Sequence, residues 1–475
     1  VTTPTYLFYD IESTGLNKAF DQVLHFAAIR TDIELQEIER YDIKIKLNPD
    51  IIPAPRALIT HYIGIEESQQ GEAEHPAMLQ IHALFNEPGT ISLGYNTLGF
   101  DDEFLRFSFY RNLLPPYTHQ FANRCSRMDL YPIAILYFLY KNDVIHWPVV
   151  DGKPSFKLEN INAANHFFDG RSHHAMVDVE VTLALARKLF AAREMWHYVT
   201  SYFDKNKDQE RIQQLPVMLE QQGTRHYEGV MVYGKMGAAN LFHAPVLYIG
   251  NSLAYKNQSL WLRLDTPTLT AVTPDTIADS KLVIRKKWGE PGLIVPPKDR
   301  FLVHLSAERQ ALARDNKAWL LANPTLFQQI IHYYRHYTYP EVMNIDTDAS
   351  LYVNSFWSNE ENAFCRRFNQ SRPQDKSRLA DNIQNPVLQQ LALRLLGRNY
   401  PELLSTTQEH HFADYLQRLT TTERANALID WQGNQRLSPQ AALDDIALLR
   451  KETPLNDKQQ QLLGELEQYI RVKFY

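Results

Sequence analysis

Three acidic segments, one of them with a histidine, hold the residue types best suited to chemistry. The first is Asp10-Ile11-Glu12-Ser13-Thr14-Gly15, directly behind the short apolar run Leu7–Tyr9. A strand turns alternate side chains to the same side, so Asp10 and Glu12 can present two carboxylates together. Like charges held that close repel unless divalent cations neutralise them, and oxygen ligands suit magnesium or manganese better than zinc. The other reading is a surface turn that happens to carry the common spacing Asp-x-Glu. The second segment is Gly94-Tyr95-Asn96 followed by Phe100-Asp101-Asp102. Asp101 at a helix start either caps that helix or, placed by the preceding strand and Asn96, faces the first carboxylate pair. The third is His173-His174-Ala175-Met176-Val177-Asp178. At helical spacing Asp178 shares a face with Ala175, Val181 and Leu185 and so projects inward. His173 then sits on the preceding loop, where an imidazole can take a proton from an attacking water near neutral pH; a satisfied surface histidine is the alternative.

These residues need elements to bring them together. The first ~190 residues alternate strand and helix patterns, the signature of an α/β layer fold. Leu7–Tyr9, Gln22–Arg30 and the alternating Arg40–Lys46 read as an opening meander, Ile91–Tyr95 as a further strand. Helical periodicity runs over Ala77–Phe85, Asp101–Arg111, Asp129–Tyr140, Leu158–His166 (with Ser155 as its N-cap) and Ala175–Ala192. The polar stretch Tyr198–Arg211 reads as a domain junction with few crossing contacts. Residues 227–283 alternate and carry turn signals, which predicts a small antiparallel β domain. Beyond Ala307 the pattern is helical, and a boundary falls near Thr347. The expected units are residues 1–195, 196–346 and 347–475.

A chain of 475 residues with 44% hydrophobic and 12% aromatic content is long enough for two or three packed cores and excludes a largely disordered protein. A formal charge of −6 argues against a protein held to nucleic acid by overall charge, so any such contact must come from local basic patches. The two cysteines, Cys125 and Cys365, match no metal-binding spacing, which suggests a reducing compartment such as the cytoplasm. No apolar run approaches the ~20 residues of a membrane span, and no leader pattern opens the sequence.

Asp-x-Glu on a first strand, Asp at a later helix start and His-xxxx-Asp on a last helix, in that order, compose a full two-metal site. In this the chain resembles the DEDDh exonuclease superfamily, with Asp10, Glu12, Asp101 and Asp178 in the places of the metal ligands and His173 in that of the general base. FAAIRTD at 26–32, LGYNTLGFDDE at 93–103, PSFKLE at 154–159 and RNYP at 398–401 resemble the bacterial, single-strand-specific exodeoxyribonuclease I family along nearly the whole chain. Two departures stand out. His174 follows the histidine where Asp, Asn or Arg is usual, and Thr60-His61-Tyr62-Ile63 replaces a glycine-containing turn.

The resemblance implies a ribonuclease-H-like α/β domain with a mixed sheet, a small β domain like the Src-homology-three fold, and an all-α C-terminal domain. It implies processive 3′→5′ hydrolysis of single-stranded DNA to 5′-mononucleotides in repair and recombination. Two Mg²⁺ per site, with Mn²⁺ as a substitute, are expected, in a cytoplasmic monomer. Single-stranded-DNA-binding protein, through its acidic C-terminal tail, is the implied partner. Single-strand binding needs cations for phosphates and aromatic faces for bases. Ser13, Thr14 and Asn96 near the site are candidates. So are the interleaved Arg225, His226, Tyr227, Tyr233, Lys235, Tyr255, Lys256, Trp261 and Arg263, and the run Arg285-Lys286-Lys287-Trp288; filling a small β core is the other role open to Trp261 and the tyrosines. An RNA-directed or proofreading exonuclease of the same superfamily is the nearest alternative. A non-catalytic single-strand-binding scaffold, or a small-molecule phosphodiesterase, belongs to a different class.

Overall fold

The computed structural model describes residues 3–170, 173–221, 223–354, 356–420 and 427–475. Strands β1 (Thr5–Ser13), β2 (Val23–Thr31), β3 (Glu37–Lys44), β4 (Thr90–Gly94) and β5 (Ser126–Asp129) form one sheet in the order β3-β2-β1-β4-β5. The first three are antiparallel neighbours, while β4 and β5 run parallel to β1. The sheet is therefore mixed, with β1 at its centre.

Alternation along β1 decides what lies on each face. Leu7, Tyr9 and Ile11 pack with Met78, Ile81, Phe85, Phe104 and Phe109 from the Glu74–Asn86 and Asp101–Arg111 helices. Phe8 packs on the other side with Leu130, Ile133, Val179, Leu183 and Ala186, from the Leu130–Tyr140 and Ala175–Phe190 helices. Each such buried aromatic or aliphatic side chain contributes roughly 1.5–3 kcal/mol. Asp10 and Glu12 share the Phe8 face and so come to lie beneath the Ala175–Phe190 helix. Gly94 allows β4 to close on β1 at this height, because a Cβ there would stand 2.5 Å from the Tyr9 carbonyl oxygen.

A second, all-antiparallel sheet follows, in the order Val283–Lys287, Gln258–Arg263, His243–Asn251, Thr224–Val232, Leu293–Val295, with Val217–Gln221 added alongside Thr224–Val232. The Ala307–Ala322 and Pro324–His336 helices pack on it through Leu320, Phe327 and Ile330. Among the described residues, six longer helices between Asn359 and Phe474 build the C-terminal part. No helix among the described residues is long and apolar enough to cross a membrane.

Two sequence expectations need correction here. The polar Tyr198–Arg211 stretch is not a loose junction. Trp196, Val199 and Tyr202 share one core with Val230, Val232, Leu293 and Val295 of the second sheet, Asp208 pairs with Lys286 at 2.7 Å, and Arg211 stacks over the Tyr198 and Tyr202 rings. One of its charges, Asp208, is thus neutralised by the second sheet, while Asp204, Lys205, Lys207 and Glu210 stay exposed. Ser155 does not cap the Leu158–Asn165 helix, whose N-cap is Lys157 without a side-chain bond; the Ser155 hydroxyl accepts from Asn160 Nδ2 at 2.8 Å instead. At the Thr60–Ile63 turn, Tyr62 itself takes the left-handed conformation, φ 66°, that glycine usually supplies. A strain of about 1–2 kcal/mol is expected there, and the Tyr62 hydroxyl is used, accepting from Asn456 Nδ2 at 3.1 Å at the start of the last helix.

Candidate active site

Oxygen atoms of Asp10, Glu12 and Asp178 all lie within 4.8 Å of one another. Two come from one strand and the third from the helix that crosses it. Asp101 is buried beside them, and one of its oxygens accepts from the Ile11 backbone N–H at 3.3 Å. Asp101 thus does not act as a side-chain cap for its helix. Burial, then the charges of Asp101, Asp178 and Glu12, hold the Asp10 carboxyl well above the usual range. Burial pushes Asp101 up to about 7 and Asp178 up to about 6. Such crowding of desolvated carboxylates is the environment that a divalent cation relieves. The donor set is all oxygen, as hard cations prefer.

The second aspartate of the Asp101-Asp102 pair has the opposite fate. Burial alone would raise it, but Arg127 at 2.5 Å and Arg106 at 2.8 Å outweigh that and hold it well below the usual range. His119 adds a 3.0 Å contact. Asp102 therefore pins the helix start that carries Asp101. Asp129 organises the adjoining loop, accepting from the backbone N–H groups of Asn96 (2.8 Å), Leu98 (3.1 Å) and Tyr131 (2.9 Å).

The two histidines separate clearly. The His173 N–H donates to Asp178 Oδ2 at 3.2 Å, and its imidazole Nε2 stands 3.3 Å from Glu159 Oε2 with half of the side chain exposed. His174 instead lies edge-on to His25, with ring centroids 5.2 Å apart, in a small cavity it shares with His25 and His61. Only His173 of the two also lines the large groove, of about 1460 Å³, into which Asp178 opens. That groove runs from the first sheet to the second. Gly234 is required where the two meet, since a Cβ would stand 2.4 Å from the Tyr131 ring.

Of the residues expected along a bound strand, Asn96, Tyr233, Lys235, Arg285 and Lys287 line this groove. Others do not, for stated reasons. Trp261 is fully buried and donates Nε1–H to Ser259 Oγ at 3.0 Å. Lys286 is buried in its ion pair with Asp208. Tyr227 packs on Tyr248 against the Trp261 core, and Arg263 is held by Asp265 at 2.6 Å. Ser13 and Thr14 are buried and shape the turn after β1: Ser13 Oγ donates to the Gly15 carbonyl (2.8 Å), Thr14 Oγ1 to Asp21 (3.1 Å). Sequence reasoning missed Lys18, Asp129, Glu159 and Tyr339, all in the groove wall. The PSFKLE segment carried a signal for Glu159; nothing local marked Tyr339.

Comparison with known proteins follows the same division. Residues 7–186 match the family model described as Exonuclease, and residues 345–473 match Exonuclease I C-terminal domain. Exodeoxyribonuclease I of Escherichia coli (strain K12) is 28% identical over 445 residues, 88% of this chain and 90% of that protein. The Haemophilus influenzae exodeoxyribonuclease I is 35% identical over 214 residues, 44% of this chain and 45% of that one. The solved structure of E. coli exonuclease I in complex with a dA16 oligonucleotide superposes with TM-score 0.85 and 25% identity, covering 99% of this chain and 100% of that one. Two domain models in the right order, one relative aligned almost end to end and a shared fold over the full length leave one assignment: the chain belongs to the exonuclease I family.

Proposed function

We propose that this chain is a 3′→5′ exodeoxyribonuclease that hydrolyses single-stranded DNA to 5′-mononucleotides. The observation that carries the reading is the Asp10–Glu12–Asp178 cluster beside buried Asp101, at the wall of a groove that also carries His173. Asp10, Glu12, Asp101 and Asp178 would hold two Mg²⁺, with Mn²⁺ able to substitute. Divalent ions there supply neutralisation of the clustered carboxylates and polarisation of the phosphate under attack. His173 accepts the proton of the attacking water at its imidazole, and Glu159 stabilises the imidazolium that results. Lys235 and Lys287 take phosphates and Tyr233 offers a ring to a base. The dA16 oligonucleotide in the E. coli relative supports single-stranded DNA as the substrate class.

Units 1–195, 196–346 and 347–475 surround the strand together in this reading. A processive, cytoplasmic monomer that acts in repair and recombination is the accompanying proposal. The partner is single-stranded-DNA-binding protein, engaged by its acidic C-terminal tail. The test is time-resolved product analysis on 3′- and 5′-labelled single strands, with duplex and RNA controls and with EDTA. Mononucleotides should leave the 3′ end of single-stranded DNA only with metal present. Release that persists in EDTA, or a preference for RNA, would overturn the assignment.

A further inference from the structure

Asp101 reaches the acidic cluster from the first turn of its helix, and its neighbour Asp102 fixes that turn. Two guanidinium groups hold Asp102, and each leads away from the catalytic sheet. Arg106 reaches on to the Tyr352 hydroxyl at 3.3 Å. Arg127, on the edge strand β5, gives one nitrogen to Asp102 at 2.5 Å and the other to Glu290 at 2.7 Å. Glu290 belongs to the other sheet, in the turn between the Val283–Lys287 and Leu293–Val295 strands. The side chains of Asp102, Arg127 and Glu290 are 0%, 13% and 19% exposed, so water screens this row of charges weakly.

The turn that presents Glu290 is itself pinned. Buried Lys286 pairs with Asp208 at 2.7 Å and also donates to the carbonyl oxygens of Lys287 (3.2 Å) and Glu290 (3.0 Å). The Gly289 N–H donates to the same Asp208 carboxylate at 2.9 Å. Gly289 has φ 71°, and a Cβ there would stand 3.0 Å from the Phe203 carbonyl oxygen, so the position needs glycine. Burial alone would raise the Glu290 carboxyl, but Arg127, Lys287 and Arg106 outweigh it and hold the group below its usual range. An ionised carboxylate on a fixed turn therefore meets Arg127, and a guanidinium forked between two carboxylates is set at both ends. Without Glu290, Arg127 would regain rotamer freedom and hold Asp102 less exactly. Glu290 also lines the groove, where a carboxylate opposes phosphates. Its place there fits a task directed at Arg127 rather than at a strand.

We infer that Glu290 is a positioning residue for the metal centre: through Arg127 and Asp102 it sets Asp101, so that the second sheet helps to form the cation site of the first. This rests on the acidic cluster being the metal site proposed above. Glu290→Gln, Arg127→Met and the double variant are compared with wild-type protein by Mn²⁺ binding without DNA, followed by electron paramagnetic resonance, and by single-strand hydrolysis. Glu290→Gln should weaken Mn²⁺ binding and lower kcat, each about tenfold, as expected for an outer partner of a metal ligand. Its strand affinity in EDTA should hold or rise, because one groove carboxylate is gone; a merely destabilised protein would lose that affinity too. Arg127→Met should cost up to about a hundredfold. Adding Glu290→Gln to it should cost nothing further, since the path to Asp101 is already cut.

Unchanged Mn²⁺ binding and kcat in Glu290→Gln, a loss confined to strand affinity, or a full additional loss in the double variant would each overturn the relay. If Arg127→Met fails to fold, Glu290→Gln still decides by its Mn²⁺ affinity set against its strand affinity. Wild-type protein that binds Mn²⁺ but releases no nucleotide would sink the nuclease reading alone, and the Mn²⁺ measurements would then judge the relay by themselves.

Discussion

Around Asp50 the protein supplies its own cations, whereas around Asp10 it relies on something else. Asp50 is fully buried, and burial alone would raise its carboxyl. Arg398 at 2.7 Å and Arg436 at 3.3 Å outweigh that cost and hold it well below the usual range, and the Tyr415 hydroxyl donates to it at 2.8 Å. Arg394 and Arg398 treat Asp348 in the same way. Arg394, Arg398 and Tyr415 come from C-terminal helices and Arg436 from the segment before the Pro439–Glu452 helix, so the network fastens that part of the chain to the catalytic part. Asp101 is buried and Asp10 and Asp178 are largely so, yet no arginine or lysine pairs with them among the described residues, and burial raises all three. A buried anion matched by guanidinium is complete in the folded chain. A buried group of anions matched by none is completed only by ions from solution, and that is the difference between a joint and a metal site.

The largest expected effect separates the two regions by activity against stability. Asp10→Asn should cut hydrolysis by about a thousandfold or more, while the metal-free protein melts at the same temperature or higher, because a repulsion has been removed. Asp50→Asn should cost roughly 3–5 kcal/mol of stability, since it leaves Arg398 and Arg436 buried without their shared partner. Chemical denaturation and single-strand hydrolysis measured on both variants would break the comparison if Asp10→Asn proved the more destabilising. Next in size, His173→Ala should lower kcat by about 10²–10⁴ and His174→Ala by far less. The reverse order would transfer the base to the residue that faces His25.

How far the sequence foretold this contrast depends on whether a constraint is local. Asp10 and Glu12 were legible because strand alternation fixes their common face, and Asp178 because helical spacing tied it to Val181 and Leu185. The Asp50 network was not, since its partners lie 348 and 386 residues away, and charge–charge pairing over that distance leaves no periodic trace. RNYP was visible as a motif, but its task is seen only in the fold: Arg398 reaches Asp50, while Asn399 Oδ1 accepts from the His75 N–H and the Tyr400 hydroxyl meets its ring. Misreading Lys286 was avoidable. In a strand the middle residue of Arg285-Lys286-Lys287 must point away from its neighbours, and it does. Trp261 could not have been decided so, because aromatic residues serve small cores and base stacking equally well.

A pH series sharpens the comparison, because the two clusters respond with opposite signs. With Asp101 up to about 7 and Asp178 up to about 6, the folded metal-free protein binds more protons than the unfolded chain between the ordinary aspartate range and near neutrality. Stability from these groups is therefore lost as pH rises through that window. Asp50 and Asp348 are depressed, so their contribution is complete above the ordinary aspartate range and is lost progressively as pH falls below that range toward their depressed values. Magnesium should raise the melting temperature distinctly at pH ~8 and little at pH ~5, because binding needs the ionised carboxylates. An equal rise at both would show that the ions bind somewhere other than the raised cluster.

The smallest effect concerns the two adjacent lysines, which repeat the same contrast on one strand. Lys286 is buried with Asp208 and is part of the joint between the Lys205–Gln213 helix and the second sheet; Lys287 is half-exposed and lines the groove. Removing a groove cation withdraws one phosphate contact, so Lys287→Gln should reduce the slope of log K against log salt by about 0.7 for a single strand, with only a severalfold weaker affinity at low salt. Lys286→Gln should leave that slope alone and lower the unfolding free energy instead, because Asp208 is then buried without its counter-ion. Salt titrations of strand binding by the two variants, read beside their denaturation curves, decide the point. A slope that changes in Lys286→Gln and not in Lys287→Gln would mean that the strand runs along the other side of the sheet.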